Sequence, residues 1–563
     1  MSSQLKELTL FHPAGYLKVP DAKLFGKDVA NVGLFSALAR CGGYERINVL
    51  HRSPAGASEL GGQYFQSQGT QGVLATGALW DVDLPRRSGL LLRGSAAVAE
   101  LAWLRRTAAA DQDYSLVGLI HTIAPPFIRS QIAAAAQAPV HPWDAVICTS
   151  PAVQAAMEQM FEAQQAWMVE RFGATQQPRP QLPLIPLGVD GAMLAQQGAD
   201  AEARASLRSR LGLASNDVLV LWVGRLSYFE KAFPQAMVQA VHQAAARSGR
   251  RLVLALAGWF PNGETDQRLY AEAAQQLAPG LPLHVLNGGN PALLAQAWAA
   301  ADVFLSLVDN IQETFGLAPV EAMAAGLPVV VSDWDGYRYT VQHEVQGFLV
   351  PTLGSPGGAP GELLAHLHSL ELETYQTYAG AVAQHTAVHV GRAADALVAL
   401  AESPELRARM GAAGQQRVQA LFDWPVVVSQ YNALFAELAE RRAQALRDGA
   451  LEAGARIQPS RGDPFVDFQG FATSVLEPEL VVRLLPGVAA ADLEQRLNVK
   501  LNRLYAGVRA SDAEAQALLA RLEAAGPAGL AVSALLAEAS PERRPWLETT
   551  LVWLAKQGLV DWL

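Results

Sequence analysis

The chain has 563 residues, half of them hydrophobic, 17% charged, and a formal net charge of -10. That length calls for roughly three or four domains, because single cores stop growing near ~250–300 residues. The composition excludes a disordered chain, and the acidic balance argues against broad attraction to nucleic acid, leaving room only for a local basic cleft.

From the start, MSSQLKELTLFHPAG has no apolar core of signal-peptide length, and no later run approaches the ~20 apolar residues of a membrane span. The expected location is therefore cytoplasmic, with at most peripheral membrane contact. Cys41 and Cys148, the two cysteines, lie far apart without metal or disulfide spacing, which suits a reducing compartment.

Strands are expected at Leu8–Phe11, Ile47–Leu50, Leu90–Arg93, Leu116–His121 and Ala145–Thr149, with helix-like segments such as Ala96–Ala108 between them. After the first strand, HPAGYLKVPDAKLFGKDVANVGLFSAL places Gly26, Lys27 and Gly33 about the start of the first helix. LPLIPLGVD, Leu182–Asp190, reads as a strand that leaves one domain and turns into a hinge. The alternation then sharpens, with strands at Val218–Val223, Arg251–Ala257, Leu283–Leu286 and Val303–Leu307. Helices are expected at Pro234–Ser248, from Thr265 and from Pro291. Short apolar runs alternating with amphipathic helices predict an α/β fold of two doubly wound domains around a cleft.

The next stretch, DNIQETFGLAPVEAMAAGLPVVVSD, carries Glu313 and Glu321 on either side of Phe315, Gly316 and Leu317. Pro319 suits the first helical position and Gly326 with Pro328 a stop, which predicts a short helix over 319–325. Its N-terminus, at a strand's carboxyl end, is a seat for phosphate. Glu321 could equally cap its own helix. Upstream, GRLSYFEK follows Gly224 with Arg225 and Lys231, two cations that can hold a diphosphate facing that helix start. A carboxylate beside such a seat suits vicinal hydroxyls, so the set describes a nucleotide-sugar pocket.

TLGSPGGAPG, Thr352–Gly361, reads as a loop followed by helices to Phe422. His385 and His389 are spaced i, i+4, but no third ligand accompanies them, and His366 and His368 are alike in this; no metal site is expected. IQPSRGDP, Ile457–Pro464, reads as a linker. The last segment predicts helices at Val532–Glu538 and Pro545–Gln557 and a short closing strand, an outline like a winged helix. From Ala491 to Leu563 it holds 8 Lys+Arg against 9 Asp+Glu, so it is expected to dock a protein partner, or else only to stabilise the catalytic domains as a helical appendage, and not to bind nucleic acid.

GRLSYFEK and ETFGLAPVEAMAAGLPVV resemble the donor-binding motifs of the family 4 glycosyltransferases, retaining enzymes of the GT-B fold. LIHT, DAVICTS, LIPLGVD and the FDW stretch at Phe422 extend the resemblance over about residues 1–440. It implies that Glu321 binds ribose hydroxyls and Glu313 the donor sugar. Arg225 and Lys231 would stabilise the leaving diphosphate, and Phe315, Gly316 and Leu317 would present backbone N–H groups. His121 would face the donor sugar from the first domain, and the loop of Gly26, Lys27 and Gly33 would lie near the acceptor.

The resulting expectation is an acceptor domain at 1–190 completed by a helix near 424–445, a nucleotide-sugar donor domain at 191–423, a linker at 446–464 and a C-terminal module at 465–563. The donor would be a nucleotide sugar, the acceptor a glycan, lipid-linked or protein hydroxyl, and neither cofactor nor metal is called for. Two rivals are a nucleotide-sugar-binding scaffold without turnover and a dinucleotide oxidoreductase. The oxidoreductase lacks a GxGxxG after its first strand.

Overall fold

The protein is described by a computed structural model covering residues 5–11, 26–52, 73–449 and 456–563. Residues up to 458 form one compact unit and 459–563 another. The loop at 12–25, part of the expected acceptor region, lies outside the described residues, as do the side chains of Gly26 and Lys27.

The first unit contains two parallel six-stranded sheets. One comprises β1 (Glu7–Phe11), β2 (Arg46–His51), β3 (Val73–Ala78), β4 (Leu90–Arg93), β5 (Ser115–Leu119) and β6 (Ala145–Ile147), in the order β3-β2-β1-β4-β5-β6. The other comprises β7 (Val218–Arg225), β8 (Leu252–Trp259), β9 (Leu283–Asn287), β10 (Val303–Ser306), β11 (Val329–Ser332) and β12 (Gly347–Val350), in the order β12-β11-β10-β7-β8-β9. Both orders reverse direction between the first and fourth strands of the sheet, which opens a crevice at β1/β4 and at β7/β10. Strands such as VLVLWV are apolar on both faces because helices cover both sides of a parallel sheet. This is the GT-B architecture that the sequence led us to expect.

Each sheet packs its own core. Leu8, Leu10, Ile47, Val49, Leu92 and Leu119 meet Trp424, Val428 and Tyr431 of the long helix Trp424–Arg447, so the chain returns from the second domain to complete the first. Gly33 sits in the middle of the helix Gly26–Cys41, not at its start, and a Cβ there would lie 2.9 Å from the Trp424 ring. Close helix packing accounts for it. The segment 182–190 is not a strand; it makes single bridges only, Cys148 to Leu184 and Val189 to Asp423, as its prolines remove ladder donors.

Two further expectations change. Thr352–Gly361 is not simply a loop: β13 (Thr352–Gly354) pairs antiparallel with β14 (Thr386–Val388), and a helix begins at Ala359. Between those strands stand the helices Ala359–Ser369 and Tyr375–Gln384. His385 and His389 do not share a helical face, since His385 ends one helix and His389 caps the next.

The second unit combines helices with a small antiparallel sheet of β15 (Val481–Leu484), β16 (Leu530–Ala531) and β17 (Val560–Trp562), ordered β16-β15-β17. Its core joins Val482, Leu493, Leu519, Leu522, Leu535, Leu551 and Leu554. The expected helix at 532–538 is one turn, Val532–Leu535, and the next runs Arg544–Lys556. Among the described residues no helix is long and apolar enough to cross a membrane.

One buried ion pair fixes the edge of the first sheet. Arg105 donates twice to Asp144, both at 2.8 Å, and each side chain is fully buried. Asp144 also accepts from the backbone N–H groups of Leu116 and His141. Asp144→Ala would strand a guanidinium inside the domain, and the expected loss is about 3–5 kcal/mol, read as a fall in the denaturant midpoint.

Candidate active site

A cavity of about 810 Å³ lies between the two sheets, lined by both domains of the first unit. Arg225 ends β7, and the loop after it turns back through Ser227, whose carbonyl accepts from the Lys231 N–H at 2.9 Å. That turn brings both cations to the carboxyl end of β7, beside β10, where the strand order reverses. The Arg225 guanidinium pairs with Glu230 at 2.5 Å, and Lys231 Nζ with Glu313 Oε2 at 3.0 Å. All four side chains are at most 28% exposed.

The helix that closes this end begins earlier than expected, running Leu317–Ala324. Gly316 is its N-cap residue with φ +92°, and a Cβ there would lie 2.3 Å from Tyr337, so glycine is required twice over. Pro319 is thus the third helical residue. Glu321 becomes the fifth, beyond the reach of its own N-terminus, and the self-capping explanation falls away. Phe315 is 3% exposed and packs edge-on against Phe422, which anchors the turn.

Glu313 and Glu321 are shifted in opposite directions. Burial acts to raise Glu313, but the Lys231 charge and the N–H groups around Thr314 and Phe315 prevail and hold it below the usual carboxylate range. Its Oε1 accepts from Thr314 N and Gly316 N, at 3.3 and 3.2 Å. The Gly316 N–H is therefore turned to the carboxylate, while Leu317 and Ala318 open the helix at the cavity wall. Glu321 lines the same cavity without a compensating cation, and burial pushes it up to about 7.

His121 reaches the cavity from the first domain. Its Nε2 is 2.8 Å from Asn31 Oδ1, and Asn31 in turn donates to Gly94 O, so the imidazole is oriented by a side chain that is itself held. Hydrogen bonds that cross between the domains here include Thr314 Oγ1 to His121 O at 2.9 Å, Thr149 Oγ1 to Thr314 O at 3.4 Å, and Ser150 Oγ to Asp335 Oδ1 at 3.2 Å. Gly224 also lines the cavity. Gly33 is absent from its lining. The structure thus brings together Arg225, Lys231, Glu313, Glu321, His121, Gly224 and the Phe315–Leu317 turn.

Sequence reasoning missed Glu230, Gln312, Tyr375 and Asp335. Tyr375 donates to Gln312 Oε1 at 2.8 Å, and burial raises its phenol. Asp335 has φ +40°, and burial followed by the Glu313 charge pushes its carboxyl up to about 7. Only Glu230, inside GRLSYFEK, had a local signal, an acid between two cations.

A sequence profile of the family described as Glycosyl transferases group 1 matches residues 203–357. Among curated proteins, the D-inositol 3-phosphate glycosyltransferase of Nocardia farcinica is 32% identical over 185 residues, 32% of this chain and 38% of that protein. Its namesake from Xylanimonas cellulosilytica is 31% identical over 259 residues, 45% of this chain and 57% of that protein. The chain thus spans about half the length of these relatives. Among solved structures, the N-terminal domain of Candida albicans trehalose-6-phosphate phosphatase superposes with a TM-score of 0.50 at 9% identity, covering 78% of this chain and 98% of that one; the likeness is one of fold. Residues 203–357, the stretch that matches the group 1 glycosyl transferases, hold the β7/β10 crevice and its charges.

Proposed function

We propose that the protein transfers a sugar from a nucleoside-diphosphate sugar to an acceptor hydroxyl, with retention at the anomeric carbon, in the cytoplasm. The observation that carries the reading is the set of Arg225 and Lys231 with the start of the helix Leu317–Ala324 in an interdomain cavity that also holds two carboxylates shifted in opposite directions. Departure of the diphosphate builds charge on its bridging oxygen. Cations and helix N–H groups already fixed around that oxygen lower the barrier, because they need no reorganisation during the reaction. In this reading Lys231 exchanges part of its contact with Glu313 for the diphosphate, and Arg225 does the same with Glu230. Glu313 is then released toward the donor sugar's hydroxyls, and Glu321 takes the ribose hydroxyls. His121 faces the sugar from the opposite domain, and the departing phosphate oxygen takes the acceptor's proton. The two cations supply the charge this needs, so no metal enters the scheme, and chelator treatment should leave turnover unchanged.

The acceptor is a glycan, lipid-linked or protein hydroxyl, and the C-terminal unit supports recruitment of a protein partner. It exposes Phe471, Leu501 and Tyr505, at 87%, 76% and 92%, on a unit with near-balanced charge. Exposed aromatic groups of this size favour protein contacts.

Four outcomes check these roles. Arg225→Ala and Lys231→Ala should each lower kcat/KM by about 100-fold or more, as for loss of a donor to developing charge; losses under threefold in both would place the diphosphate elsewhere. NMR of the product should show the donor's anomeric configuration, and inversion would overturn the mechanism. Nucleotide affinity should rise with pH through about 7, since only the ionised Glu321 accepts two ribose hydroxyls, and Glu321→Gln should flatten that profile. The same group acts oppositely on the free protein. Its folded-state pKa is raised, so the folded state binds more protons than the unfolded one, and its contribution to stability declines as pH climbs from the ordinary carboxylate range through about 7. Ending the chain after Arg461 should leave donor hydrolysis intact while abolishing co-purification of a partner or transfer to its acceptor.

A further inference from the structure

A second cavity, of about 700 Å³, lies on the β6/β11 side of the cleft and shares the Pro125–Pro126 wall with the first. Its volume falls within the ~300–1,000 Å³ typical of small-molecule sites. The floor is apolar: Ile123 from the loop after β5, Met160 from the helix Pro151–Phe172, Ile311 from the loop after β10, and Trp334 after β11. Tyr378 closes it from above, stacked on His368 at 5.1 Å between ring centroids, so the helices Ala359–Ser369 and Tyr375–Gln384 roof both cavities.

Three basic groups stand at the edge. Arg129 engages no acidic side chain among the described residues, Arg338 is held by Asp333 at 3.0 Å, and His366 comes from the roof. Asp335 is the acid of this cavity. Burial keeps much of it protonated near neutrality, and the Ser150 hydroxyl donates to it. An unpaired guanidinium beside an apolar floor is complementary to a molecule with an apolar body and an anionic group.

We infer that this cavity binds an amphiphile, its apolar chain between Ile123, Met160, Ile311 and Trp334 and its anionic group at Arg129, and that this amphiphile is the glycosyl acceptor or the carrier to which the acceptor sugar is attached. The acceptor assignment rests on the proposed transferase activity; the binding does not. Trp334 fixes the floor by donating from Nε1 to Asn310 O at 3.0 Å, and Pro125–Pro126 directs the far end of the ligand toward Glu313 and His121.

Calorimetric titration of the full chain with monomeric dodecyl phosphate tests the site. Saturable binding is expected. Arg129→Ala should weaken it about tenfold or more, as should Met160→Trp, which fills the floor. Both variants should retain the wild-type affinity for a nucleoside diphosphate. Dodecanol should bind at least tenfold more weakly than dodecyl phosphate, and inorganic phosphate should not compete. Absence of saturable binding, equal affinity in both variants, or equal affinity for dodecanol would each overturn the inference. Nucleotide binding with donor hydrolysis but no amphiphile binding would remove this site and leave the transferase reading intact; amphiphile binding without any nucleotide binding would do the reverse.

Discussion

The ion pair of Lys231 with Glu313 joins the loop after β7 to the loop after β10, the two strands where the sheet order turns back on itself. Both partners are mostly buried, and a buried charge is tolerable only when compensated. Each therefore holds the other in place: the lysine keeps the carboxylate ionised, and the carboxylate keeps the lysine over the helix that begins at Leu317. Arg225 and Glu230 repeat the arrangement within one loop. The cavity is thus organised by its own charges, with both cations already positioned.

What could be read from the sequence follows the range of the interactions. The cations, the carboxylates and most strands were legible because each rests on a local pattern: an apolar run, a glycine, a spacing within a few residues. The start of the helix after Glu313 was misread by two positions because Pro319 looked like a first residue, whereas Gly316 caps the helix in a left-handed conformation that only the packing of Tyr337 explains. Tyr375 could not be found, since its partner Gln312 is 63 positions away. Gly33 looked like part of a ligand loop because nothing nearby in sequence announces Trp424, which packs against it from the far end of the chain. Asp335 was hidden for the same reason, as Ser150 lies in the other domain.

Each sheet has its own core, joined where Ala30 of the helix Gly26–Cys41 packs into that of the second domain, and near the cavity hydroxyl and backbone groups bridge the domains: Thr149, Ser150, Thr314 and the His121 carbonyl. Opening the cleft there would exchange hydrogen bonds with protein for hydrogen bonds with water, at a net cost of about 0.5–1.5 kcal/mol each. The covalent crossings at Val189 and Trp424 run side by side, each accepting from or donating to the other's strand of chain, so they act as one hinge. A site built this way can admit a large ligand without unfolding either wall.

The eight-position spacing of Glu313 and Glu321 then has a physical meaning. The first lies before the helix, where backbone N–H groups and Lys231 favour its charge; the second lies within it, past those groups, where burial disfavours charge. One turn of chain thus presents to the same cavity an ionised carboxylate and one that still exchanges its proton near neutrality. Two identical side chains acquire different proton affinities from their distance to one helix end and its neighbouring lysine.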